Sequence, residues 1–232
     1  MDLTKIIEQL LYLPLEIENP PADFLDHLDS IPDSKLYPDE YRNCHHVPLM
    51  YDFKPGNFSW TPYAFKYTKL REWFEDVLFP ITGKSRVMII TTRSNATNPP
   101  HIDCSKNLFN TTLQHKFRYV LQGNIHDLEF MDNSSNSVSP SLQAPDRPFV
   151  MSGSWPHYMQ NKHTGRKYTL ALGAPWDGSL DNNTYRKLIE VSYNKYKDFY
   201  LSKDNLVLPS NWETLFEEDN NFREKAKEFL HH

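Results

Sequence analysis

Between residues 84 and 178 the chain carries a series of short β-rich runs, at 86–92, 113–122, 127–131, 147–152, 158–161 and 167–173, with turn-forming residues between them. Strands this short, at roughly ten-residue spacing, predict a sandwich or a barrel, because no single run can bury its apolar face alone. The flanks have a different period. Leu3, Ile6, Ile7, Leu10 and Leu11 stand at helical spacing, a second helix is expected over 66–78 before Pro80 and Gly83, and two more over 183–201 and 212–230. The Pro-rich stretch up to about residue 61 reads as irregular. The expectation is one mainly β domain over 1–232 with flanking helices: a helical and irregular part at 1–83, a β core at 84–178 and C-terminal helices at 179–232.

Composition limits the function classes. The 232 residues carry 25 Lys plus Arg against 30 Asp plus Glu, a formal net charge of −5. A nucleic-acid binder acting through bulk electrostatics needs the opposite sign, so nucleic acid is not the expected partner. The two cysteines, Cys44 and Cys104, cannot build a disulfide scaffold or the paired CxxC of a zinc ribbon, which fits a reducing, cytoplasmic setting. The apolar run at 10–13 is cut by Pro14 and is too short for a signal peptide. No stretch approaches the roughly 20 apolar residues of a membrane span. With 7 glycines against 17 prolines, turns lean on Pro, Asn and Asp. The polar tract at 132–140 reads as an exposed loop.

Chemistry is concentrated in two segments. In Pro99-Pro100-His101-Ile102-Asp103, residues two apart on an extended chain point to one face, so His101 and Asp103 aim into one space and Ile102 faces away. In Ser154-Trp155-Pro156-His157, the second histidine begins a run that turns at 162–165 and returns through Arg166. Two imidazoles and one carboxylate on one face of an octahedral iron leave three positions open. An arginine nearby offers a fork for a carboxylate. An HxD triplet alone is a weak signal, since a polar surface pair looks the same.

The ordered set His101-x-Asp103, His157 and Arg166 resembles the Fe(II)/2-oxoglutarate-dependent dioxygenases built on a double-stranded β-helix (jelly roll, cupin-like). The nearest likeness is to the aspartyl/asparaginyl β-hydroxylase and prolyl hydroxylase-like group. It extends to Lys116-Phe-Arg118-Tyr-Val-Leu121, to Gly153-x-Trp155-x-His157 and to Pro175-Trp176, and covers about residues 86–178. Aspartyl/asparaginyl β-hydroxylases often show Gly where Asp103 stands, so the full triad looks more like the wider superfamily. The resemblance implies Fe(2+) on His101, Asp103 and His157, with 2-oxoglutarate and O2 as co-substrates. It implies Arg166 on the far carboxylate, and Lys116 and Arg118 near the chelating one. It also implies hydroxylation of a C–H bond, with succinate and CO2 as co-products. The expected substrate is a protein or peptide side chain, with a free amino acid or other small molecule as the alternative. A jelly-roll binding domain without turnover, or a zinc- or manganese-dependent cupin-like isomerase, are the readings from other classes.

The remaining candidates carry less. Cys44-His45-His46 reads as a solvated loop, because adjacent strand residues point apart and no partner is evident in the sequence. His115 and His126 read as structural, Cys104 as a packed thiol and Asn161 as a turn residue.

Overall fold

The computed structural model describes residues 2–54, 56–109, 113–133, 136–173, 176–216, 225 and 228–230. Helix α1 (Leu3–Gln9) is capped by Asp2, whose carboxylate accepts the Thr4 N–H at 2.9 Å. It gives way at once to strand β1 (Leu10–Pro14). The helical spacing of Leu10 and Leu11 therefore misleads. Every residue of β1 is buried, and a strand covered on both faces has no alternation to show.

Next come α2 (Leu25–Ser30), β2 (Tyr37–Asp39), β3 (Cys44–Lys54) and β4 (Asn57–Trp60). Three strands thus lie in the stretch expected to be irregular. The helix expected over 66–78 is α3 (Thr68–Trp73), a π turn over Phe74–Leu78 and α4 (Phe79–Thr82), ended by Gly83 at φ 69°. The β-rich region supplies β5 (Val87–Thr92), β6 (Thr97–His101), β7 (His115–Gln122), β8 (Leu128–Met131), β9 (Ser137–Val138), β10 (Phe149–Ser152), β11 (His157–Gln160) and β12 (Lys167–Leu172). Helix α5 (Asn183–Tyr196) stops short of its expected end, and β13 (Leu201–Ser202) follows it. The helix expected over 212–230 opens instead as a 3-10 turn at Trp212–Leu215, and 217–224 lie outside the described residues.

Two antiparallel sheets result. The larger runs β13-β1-β10-β7-β12-β5-β3-β2, with β4 on β3, and the smaller runs β6-β11-β8-β9. From β5 onward the chain passes from one sheet to the other and back, which is the winding of a double-stranded β-helix. The fold is mainly β with flanking helices. Strand β7 shows how the layers divide: Phe117 and Tyr119 face the large apolar cluster shared with the helices, and Val120 faces the cluster between the sheets. Among the described residues, no helix is long and apolar enough to cross a membrane.

Candidate metal centre and its cavity

His101 ends β6, His157 begins β11, and the antiparallel register places the two directly opposite. Their ring centroids are 4.5 Å apart. Asp103 lies two residues past the end of β6, where its N–H donates to the Gly153 carbonyl at 2.7 Å. Ile102 turns the other way, fully buried against Phe216.

Each imidazole is held by its own strand. Nδ1 of His101 lies 2.8 Å from the Pro99 carbonyl and Nδ1 of His157 lies 2.8 Å from the Trp155 carbonyl. A carbonyl oxygen can only accept, so Nδ1 carries the proton and Nε2 presents a lone pair. Nε2 of His101 is 3.4 Å from Asp103 Oδ1, and Nε2 of His157 is 3.7 Å from Asp103 Oδ2. The three donor atoms all lie within 4.8 Å of one another.

These side chains are almost fully removed from water. Burial, with His101 alongside, pushes the His157 imidazole down to about 3, so it stands neutral, the form that ligates a metal. Burial works to raise the Asp103 carboxyl, but the positive charge packed against it, that of Arg42 included, outweighs burial and holds the group well below the usual carboxylate range. Arg118 donates to Asp103 Oδ2 at 2.9 Å and Arg42 to Oδ1 at 3.1 Å. Ligating carboxylates are commonly oriented by such donors. A neutral pair of oriented imidazoles and an ionised carboxylate make a donor set that fits a divalent iron with open positions.

The centre opens on a cavity of about 230 Å³ between the sheets. Lys116 and Arg118 reach it from β7, Arg86 from the residue before β5, and Arg42 from the β2–β3 turn, while Met88, Phe149 and Met151 form part of its apolar wall. Arg118 is fixed by bonds to the Phe117 and Leu172 carbonyls as well as to Asp103. Arg86 donates through Nε to Asp52 at 2.6 Å and lies over the Tyr51 ring. Lys116 is different: among the described residues its buried Nζ has no hydrogen-bond partner. Burial pushes its ammonium down to about 8, outweighing the opposing pull of the Asp103 carboxylate. Gly153 makes room for this side chain, since a Cβ there would come within 2.8 Å of Lys116 Cγ and Cε.

Arg166 does not join them. Its guanidinium donates to the Leu28 and Ile31 carbonyls and to Asp33 at 2.7 Å, and it does not line the cavity. The expectation that it meets a carboxylate beside the metal fails on parity. Thr169 and Ala171 on β12 face the cavity, so Arg166 and Tyr168, an odd number of residues away, face α2. Asn161 is a turn residue, donating through Nδ2 to the carbonyls of Thr92, Arg93 and Gly165. Sequence reasoning missed Arg42 and Arg86, which no local pattern marks. Pro175, part of the resemblance, lies outside the described residues.

No family model matches the chain. No curated protein matches it either. Among solved structures it is similar to a Pseudomonas putida prolyl-4-hydroxylase, at 15% identity and TM-score 0.40, over 73% of this chain and 96% of that one. It is also similar to an oxidoreductase of the 2OG-Fe(II) oxygenase family from Burkholderia pseudomallei, at 14% identity and TM-score 0.40, over 75% and 89%. A viral collagen prolyl hydroxylase from Paramecium bursaria Chlorella virus-1 gives 12% identity and TM-score 0.36, over 66% and 87%.

Proposed function

We propose that the chain is a non-haem Fe(II)- and 2-oxoglutarate-dependent oxygenase that hydroxylates a C–H bond. The observation that carries this is the convergence of His101, Asp103 and His157 on one point of a buried, cation-lined cavity, with both Nδ1 atoms anchored to backbone carbonyls. Iron held there supplies the means of using O2, so that 2-oxoglutarate, O2 and R–H give succinate, CO2 and R–OH. The protein's own part is to orient two imidazoles and a carboxylate, exclude water and position anions. Lys116 and Arg118 hold the co-substrate's chelating end, and Arg86 takes the far carboxylate in place of Arg166. The apolar wall keeps the reacting bond dry.

The substrate we favour is a protein or peptide side chain, since a cavity of about 230 Å³ that also takes the co-substrate has room for a side chain more readily than for a large free metabolite. Anaerobic titration with Fe(II) and 2-oxoglutarate tests the assignment through its visible charge-transfer absorption. The band is expected only with both ligands, weakened in Lys116→Met and unchanged in Arg166→Ala. No band, with no iron retained on metal analysis, overturns the oxygenase reading in favour of a binding domain. Succinate release with peptide or amino-acid libraries then separates the substrate classes.

A further inference from the structure

We propose that Asp39, Cys44 and His46 form a second metal site, for a zinc-class divalent ion, joined to the first centre through Arg42. Cys44 and His46 are two apart on β3 and so share a face, and the β2–β3 register sets Asp39 directly opposite Cys44. All three are buried, at 7%, 3% and 3% exposure respectively. One ligand atom from each lies within 4.8 Å of the others.

The distances match those that a shared ion sets. His46 Nε2 is 3.5 Å from Cys44 Sγ and 3.6 Å from Asp39 Oδ2. The Cys44 contact is a sulfur hydrogen bond, and the Asp39 oxygen at 3.6 Å lies beyond the ordinary N–H···O range. Zinc bonds of about 2.0–2.3 Å at tetrahedral angles put neighbouring ligand atoms roughly 3.3–3.7 Å apart. The two distances from His46 fall in that range. A thiolate, an imidazole and a carboxylate suit borderline-soft zinc better than magnesium or calcium. On binding, the ion replaces the thiol proton, so the pocket's charge rises by one unit only. Three protein ligands leave a further position, and His46 stands in the cavity wall where solvent can fill it.

Arg42 links the two centres. One terminal nitrogen donates to Asp39 Oδ2 and the other to Asp103 Oδ1, each at 3.1 Å. Asp39 also accepts the Arg42 backbone N–H at 3.0 Å, which fixes the carboxylate within the hairpin turn. A single guanidinium thus orients one carboxylate of each site.

Zinc-edge X-ray absorption on the His101→Ala protein loaded with one equivalent of zinc tests the proposal. A sulfur scatterer at about 2.3 Å is expected. It should survive in His101→Ala/Cys104→Ser, which leaves the site intact whatever Cys44 substitutions do to folding, and vanish in His101→Ala/Cys44→Ser. In the wild type, zinc content should fall from two ions per chain to one in Cys44→Ser or in His101→Ala. A shell of nitrogen and oxygen alone, a sulfur that follows Cys104, or no zinc retained by His101→Ala overturns the second site. The oxygenase reading fails on a different result, loss of iron and co-substrate binding at His101, Asp103 and His157, to which the sulfur shell is blind.

Discussion

Arg166 and Lys116 show how little a residue's type says about its task. Both are cations in or beside a strand near the His101–Asp103 motif, yet one closes a helix end and the other points into a cavity. Arg166 binds the Leu28 and Ile31 carbonyls at the end of α2, together with Asp33. Arg166→Ala is therefore expected to cost about 1–3 kcal/mol of stability, the range for charged hydrogen bonds that are only partly screened. Urea denaturation would show this, and co-substrate affinity should stay unchanged. Gly153 works through Lys116. Its φ is ordinary, so space alone forbids a side chain, with Lys116 carbons at 2.8 Å and the Gln114 carbonyl at 2.9 Å. Gly153→Ala should cost about 1–3 kcal/mol by overpacking and displace the lysine. A rise in the co-substrate's dissociation constant at unchanged iron content would show the displacement. Equal affinity in the variant would contradict the placing of Lys116.

At the scale of elements, the motif depends on a segment more than a hundred residues away. The Ile102 N–H donates to the Leu215 carbonyl at 2.8 Å, and Ile102 pairs in parallel with Phe216. Phe216 is buried with Ile102 and Cys104, and Phe109 and Trp212 pack around them, their rings 4.5 Å apart. This strap braces the residue between His101 and Asp103 from behind. Phe216→Ala removes its anchor at a cost of about 3 kcal/mol. Iron affinity should fall in the variant while the β-sheet signal in circular dichroism persists. Unchanged affinity would show that β6 holds its ligands without the strap. None of this was legible in the local pattern, where 212–230 looked like one more helix. The strands of the first eighty residues were hidden for a related reason: β1 and β3 are interior members of a sheet, and their burial erases the alternation that marks a half-exposed strand.

Across the whole molecule, an acidic chain encloses a basic cavity. The formal charge is −5, yet Arg42, Arg86, Lys116 and Arg118 all reach the same internal space. Burial also fixes a pH response away from the metal centre. His115 is fully buried, with Nδ1 bonded to the Tyr185 hydroxyl, and burial pushes its imidazole down to about 3. In the unfolded chain this group titrates near 6.5, so between that value and about 3 the unfolded state holds the extra proton. Stability is complete above the unfolded value and is lost as pH falls through that window, on the order of 1 kcal/mol per pH unit. Urea midpoints measured between pH 7 and pH 5 should drop more steeply in the wild type than in His115→Asn. Parallel slopes would remove His115 as the cause.

What the sequence determined by itself follows from short-range chemistry. The spacing of strands between 84 and 178 implied a sandwich or a barrel, and the alternation in His101-Ile102-Asp103 put two donors on one side, because period two is a property of any extended chain. Which face of a strand looks inward is set elsewhere, by what packs against it. That is why Lys116 and Arg118 line the cavity while Arg166 lies against α2, and why Cys44 and His46 read as a solvated loop until β2 brought Asp39 across from them. The meeting of β6 with β11, the strap over Ile102 and the fork of Arg42 join residues between 56 and more than 100 positions apart. Only the folded sheets decide such contacts, because they depend on register and layer order, which no local pattern encodes.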